Sequence, residues 1–310
     1  MDVVFAVMPF ADVNRPAIGV SLLKAGVERR GFTARVEYFN HDLAELIGFD
    51  SYERFANGFS TESLAGEWFF ADAVFGNAVP HSREFAVKIL SKMAGPDELD
   101  GPVAAARARR AEFVERCAER LRALRPRVVG FTTTFHQTCA CLAVARRLKE
   151  GPEPPVVIFG GANCEGEMGW QMLQSFPWID YVCAGEGDAA FPDFLEQLLG
   201  GEEVPNVPAI LGRCGRLVCH YRRGSPHHLR LRDEQDGAGR WDYRRGAGRA
   251  GERNHEWLSH ALKDQTKAAG RGPNRQESSS TCPAPPWRSV CALGRCLFIL
   301  SQTRWRETMK

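Results

Sequence analysis

The chain has 310 residues, enough for one domain or two. Hydrophobic residues make up 44% and charged residues 25%, proportions that exclude collagen-like, wholly disordered and heavily membrane-embedded classes. The net charge of +2 hides a break: residues 1–222 carry 23 Lys and Arg against 29 Asp and Glu, whereas residues 223–310 carry 17 against 9.

The first predicted element is an apolar run at 3–8, ended by Pro9, which reads as a buried strand. Pro16 opens a helical pattern through Ile18, Leu22, Leu23 and Val27, and Gly31 closes it. Residues 33–39 alternate and are rich in β-formers, a second strand. Residues 40–125 read as a long insertion. It holds helical stretches near 43–55, 64–74 and 85–93, then a charged helix at 103–124 that stops before Pro126. A third strand at 127–133 precedes a helix at 138–150, and a fourth at 155–159 runs into Gly160 and Gly161, with a short helix at 166–176. A fifth strand at 179–184 leads through Gly185, Glu186 and Gly187 into a helix at 188–199; residues 208–211 and 216–220 read as a terminal hairpin or a sixth strand.

This rhythm predicts an α/β domain over residues 1–222. Its centre is a doubly wound, flavodoxin-like sheet of five parallel strands in the order 2-1-3-4-5, with helices on both faces and the helical insertion at 40–125. Such a sheet binds its ligand beyond the carboxyl ends of the strands, here at the loops 9–15, 132–138, 160–164 and 185–188. From about Arg222 the alternation stops. Residues 237–251 are mostly Gly, Ala and Arg, and 270–286 are polar and rich in Pro and Ser, so 223–310 are expected to form a largely disordered basic tail. The same mixture arises when high-GC coding sequence is read out of frame, and this is the preferred reading of the tail. It lacks a regular repeat or interleaved aromatics, so nucleic acid is not expected as a partner.

Ten cysteines follow no secretory signal, and their closest spacings are C-x-C at 139–141 and C-x4-C at 214–219 and 291–296. Neither a zinc ribbon nor a typical cluster motif is present, and a cytoplasmic protein with reduced thiols and no membrane association is expected. At the predicted ligand edge, Thr132, Thr133 and Thr134 carry three hydroxyls that can donate to a ligand, or serve only as β-formers and a helix cap. Gly160, Gly161, Ala162 and Asn163 allow a flat ligand close to the backbone, or make an ordinary tight turn. Glu186 and Gly187 sit in a second glycine turn whose carboxylates can cap the next helix or accept ligand N–H groups. His136 lies in the loop after the third strand, where a solvated histidine is the plainer reading, and Cys139, Cys164 and Cys183 read as small buried residues near the same edge. No nucleophile elbow, Walker loop or G-x-G-x-x-G after the first strand is present.

Several of these strings resemble one family. Met8-Pro9-Phe10 with Arg15-Pro16-Ala17-Ile18-Gly19-Val20-Ser21-Leu22-Leu23-Lys24 resembles the start of cobalamin-binding-domain radical S-adenosylmethionine enzymes. Gly66-Glu67-Trp68-Phe69-Phe70, Val129-Gly130-Phe131-Thr132-Thr133-Thr134-Phe135, Gly160-Gly161-Ala162-Asn163-Cys164-Glu165-Gly166-Glu167-Met168-Gly169 and Ala184-Gly185-Glu186-Gly187-Asp188 are similar to the subgroup that matures ribosomally made peptides, the peptide-maturation radical protein 1 family. The resemblance covers about residues 2–222. It implies a cobalamin site in which Thr132, Thr133, Thr134, Phe135, Gly160, Gly161, Ala162, Asn163, Glu186 and Gly187 line the pocket. It also implies C-methylation of a precursor peptide in full-length relatives, through a barrel whose C-x3-C-x2-C thiolates hold a [4Fe–4S] cluster that cleaves S-adenosylmethionine. This chain has no such motif, so no cluster, no S-adenosylmethionine cleavage and no radical methylation by the chain alone are expected. Many cobalamin domains place a cobalt-ligating histidine in D-x-H-x-x-G after the first strand. Asn14 stands at that position, so cobalamin without a histidine ligand is expected. The alternative is a noncatalytic flavodoxin-like domain with a basic interaction tail; a nucleotide- or flavin-using enzyme on the same fold is a third reading.

Overall fold

The computed structural model describes residues 1–76, 82–92, 95–201, 205, 207–214 and 217–219; the predicted basic tail at 223–310 lies outside the described residues. Strands β1 (Val3–Val7), β2 (Ala34–Tyr38), β3 (Val128–Thr132), β4 (Val156–Gly160) and β5 (Tyr181–Cys183) are parallel, and β6 (Ile210–Cys214) and β7 (Leu217–Cys219) are antiparallel to their neighbours. One sheet runs β2-β1-β3-β4-β5-β6-β7. The protein is thus α/β with a mostly parallel, mixed sheet, in which the hairpin expected at 208–211 and 216–220 continues the sheet beyond the parallel strands. The reason lies in the connection after β5. Ala209 returns to the carboxyl end of β5, where its carbonyl accepts the Ala184 N–H at 2.7 Å. The chain therefore enters β6 from the carboxyl end of the parallel strands and can only run antiparallel.

Helices α1 (Ile18–Arg29), α9 (Thr138–Lys149), α10 (Glu167–Ser175) and α11 (Gly187–Leu199) follow β1, β3, β4 and β5. The insertion supplies α2 (Phe39–Ile47), α3 (Phe49–Glu53), α4 (Ala65–Phe75), α5 (Ser82–Lys88), α6 (Pro96–Glu98), α7 (Ala104–Ala108) and α8 (Arg110–Leu124). Alternation along the strands divides the core. Val3, Phe5 and Val7 pack with Val20 and Val27 of α1 and Phe191, Phe194 and Leu195 of α11. Val4, Ala6 and Met8 pack on the other face with the insertion, α9 and α10. With both faces covered, β1 is buried along its whole length, which is why it reads as a continuous apolar run and not as an alternation.

The insertion is part of this second core layer. In α8, Phe113, Val114, Cys117, Ala118 and Leu121 are buried at helical spacing, while the opposite face carries the charge. Small residues Ala140, Ala143 and Ala145 of α9 are buried in the same cluster, so α4 and α8 can lie close against that helix. Phe10, from the loop after β1, stacks on Phe55 at 5.0 Å between ring centres and meets Phe69 edge-on at 5.3 Å. The insertion therefore supports the loop after β1 from beneath.

Candidate functional site

The loop after β3 is fixed from three directions. Thr133, fully buried, donates its N–H to Gly160 O at 2.7 Å and its hydroxyl to the same carbonyl at 2.9 Å; its Oγ1 also lies 3.4 Å from Cys164 Sγ. Gln137 accepts from Thr134 N–H and Oγ1 at 2.9 and 2.7 Å, and donates from Nε2 to Met8 O at 2.9 Å. His136 is buried at φ +70°, with Nδ1 3.2 Å from Phe55 O. The solvated histidine expected from sequence is corrected: its ring is turned under the loop, onto the insertion. Thr132 is half-buried at the end of β3, Thr134 is exposed, and Phe135 stands 60% exposed.

The loop after β4 docks onto the first. Asn163 donates from Nδ2 to Thr134 O at 2.6 Å and to Thr138 Oγ1 at 2.8 Å, and its N–H reaches Thr133 O at 3.3 Å. Gly161 has φ +94° and ψ 179°, and a Cβ built there would fall 2.5 Å from Thr133 O and 2.8 Å from Thr133 N. Its lack of a side chain is thus required by the neighbouring loop. Gly160 is half-buried, and Gly161 and Ala162 are exposed, so this turn presents a bare backbone surface.

The third loop is less constrained. Glu186 is the exposed N-cap residue of α11 and makes no side-chain capping bond; Gly187 packs under Leu23 of α1, with a Cβ position 3.2 Å from Leu23 Cδ2. The structure thus brings all ten predicted residues to one sheet edge. It turns the Thr133 hydroxyl inward and leaves Thr134, Phe135, Gly161, Ala162 and Glu186 facing solvent.

Two features of this edge escaped sequence reasoning. Ile18 is 70% exposed, Leu22 53% and Met168 37%, and with Phe135 they are four of the seven large apolar side chains exposed among the described residues. All four belong to the carboxyl-side loops or the helix turns that follow them. Residues 151–200, which supply two of the loops, contain eight carboxylates and no Lys or Arg, and Glu165, Glu167, Glu186 and Asp188 are exposed. Such a surface attracts cations and disfavours free anions.

The thiols near the edge are buried and held in the protonated form. Burial pushes Cys139 and Cys141 well above the ordinary thiol range, pushes Cys164 up to about 12 and raises Cys183. A nucleophilic or metal-binding cysteine needs the opposite shift. Among the described residues no group of three His, Cys, Asp or Glu is placed to hold a metal ion, and no helix is long and apolar enough to cross a membrane. A groove of about 430 Å³ lies elsewhere, between α2 and α8, lined by Asp42, Glu45, Arg109, Arg116 and Arg120. Its arginines are ion-paired, Arg109 and Arg116 with Glu112 and Arg120 with Glu37 and Asp42.

No family model matches this chain, and a search of curated proteins finds no match.

Proposed function

We propose that residues 2–222 are a cobalamin-binding module of the radical S-adenosylmethionine peptide-maturation kind, on a doubly wound, flavodoxin-like sheet, without the cluster-binding barrel. The reading rests on the family resemblance. One structural observation supports it most: a bare turn at Gly161 and Ala162, on the same sheet edge as exposed apolar side chains of the carboxyl-side loops and the helix turns after them, Ile18, Leu22, Phe135 and Met168. A corrin ring is broad, apolar on its faces and rimmed with amides, so it needs a surface of this kind with a few polar partners. Thr134 and Glu186 are exposed there to meet such amides. The carboxylates of the edge suit the cationic cobalt–corrin core better than they suit a free phosphate group.

The donor set fits cobalamin held without a histidine. Asn14 is exposed in the loop after β1, and His136 is buried with Nδ1 on Phe55 O. When bound, cobalamin supplies a methyl carrier; the residues of this chain bind and orient it.

The test is a titration of the full chain with hydroxocobalamin, read by visible absorbance after gel filtration. Co-elution at about one equivalent is expected. Phe135→Ala is expected to weaken binding by about 5- to 30-fold, the loss of roughly 1–2 kcal/mol of apolar contact. A folded chain that elutes free of cobalamin sinks the reading and favours the noncatalytic alternative.

A further inference from the structure

The amino end of α9 points at the candidate site, directly after the loop that carries Phe135. A helix start at this place in a sheet is a ready anion site, because its first N–H groups lack partners within the helix. Here the first two of those groups are taken by a residue about 70 positions away. Glu67 Oε1 accepts Thr138 N–H at 3.0 Å, and Oε2 accepts Cys139 N–H at 2.6 Å. Glu67 is only 7% exposed, so the pair of bonds is shielded from water. Its neighbour Gly66 sets the approach: a Cβ there would lie 2.4 Å from His136 Cβ and 2.6 Å from His136 O. On the other side Trp68 donates from Nε1 to Ser82 O at 3.0 Å and lies under the Arg107 guanidinium at 4.2 Å, with Arg107 bonded to Asp72 at 2.7 Å. Helix α4 is thus held so that one carboxylate enters the end of α9.

We propose that Glu67 is a specificity-determining residue that acts as a built-in anion, closing the α9 amino terminus to ligand phosphate and setting the loop that presents Phe135. The inference rests on the carboxyl edge being the ligand side, as in the function proposed above, but it does not require the ligand to be cobalamin. The edge then takes its ligand by an apolar face, and a phosphate-bearing ligand must place its anion away from α9. Flavin mononucleotide or a nucleotide anchored by phosphate at α9 is excluded by the charge already there.

The experiment uses the full chain, its Glu67→Ala and Glu67→Gln variants, and inorganic phosphate against chloride at matched ionic strength. Wild-type protein is expected to show only the shallow, non-saturating rise in melting temperature that phosphate gives a folded protein over chloride, and no phosphate-dependent slowing of hydrogen exchange at the Thr138 and Cys139 amides. Glu67→Ala opens the helix end. It is expected to melt lower than wild type in chloride and to recover by a few degrees, saturably, in phosphate. Glu67→Gln, which keeps an acceptor and most of the volume, is expected to melt between the two and to gain less from phosphate. Phosphate-dependent protection of Thr138 and Cys139 in the wild-type protein overturns the proposal, as does a folded Glu67→Ala chain that gains no more from phosphate than wild type does. If the alanine variant fails to fold, the wild-type exchange measurement and the glutamine variant still decide. Cobalamin is absent from every arm, so failure here is separate from failure of the cobalamin reading.

Discussion

Adjacent glycines after β4 are expected to respond in opposite ways to alanine. At Gly161 the backbone, φ +94° and ψ 179°, lies in a region that is essentially restricted to glycine, and entering it costs a side-chain-bearing residue about 1–3 kcal/mol. A methyl group there would also stand 2.5 Å from Thr133 O and 2.8 Å from Thr133 N. Relief of that overlap moves the two loops apart and weakens the Thr133 N–H bond to Gly160 O and the Asn163 N–H bond to Thr133 O, each worth about 1 kcal/mol. Gly161→Ala is therefore expected to cost roughly 3–4 kcal/mol, with the two contributions partly overlapping. At Gly160 a Cβ would meet Cys183 Cβ at 3.5 Å, an ordinary contact, so Gly160→Ala is expected to stay within about 1 kcal/mol of wild type. Urea unfolding of the full chain and both variants, followed by far-ultraviolet circular dichroism, measures the difference. Equal stability of Gly161→Ala and wild type, at unchanged m-value, would refute the argument that loop packing requires this glycine.

Two further outcomes concern pH. Burial raises Cys117, Cys139, Cys141, Cys164 and Cys183, so all five are expected to stay protonated and resist iodoacetamide at pH 8 in the native chain, and to react once it is unfolded; peptide mapping that finds any of them alkylated at the rate of a free thiol contradicts the packing. Asp2 accepts Thr33 N–H at 2.8 Å and Thr33 Oγ1 at 2.7 Å, which holds its carboxyl below the ordinary value of 3.8. Its contribution to stability is therefore present above that value and is lost as pH falls through and below it. Asp2→Asn is expected to flatten the acid limb of a pH–stability curve and leave its shape above pH 6 unchanged; an unaltered acid limb counts against the contact.

The elements carried by a strong period were legible in the sequence. The charged helix predicted at 103–124 is α8, preceded by the short α7, because its apolar residues recur on one stripe. The fifth strand shrinks from the predicted 179–184 to Tyr181–Cys183, because the Ile179 N–H bonds to Phe176 O in a turn and the Ala184 N–H bonds to Ala209 O. The edge residues were placed correctly by their position after strands, but which of them face outward was not readable. Thr133 and Thr134 are identical neighbours in sequence, yet one hydroxyl is buried on Gly160 O and the other bonds Gln137 Oε1 at the surface. Glu67 stood out only within the string 66–70 of the family resemblance, and nothing local pointed to its role. It sits within a helix of its own, and its partners at 138 and 139 become neighbours only when the insertion folds under the sheet.

The final hairpin has a geometric consequence. β6 reverses the direction of β5 and β7 reverses it again, so two turns restore the original heading. Cys219 therefore leaves the sheet at the same end as the loops that carry Phe135, Gly161 and Glu186. The described chain thus ends at the edge that carries those three loops, whereas β1 begins at the opposite end of the sheet.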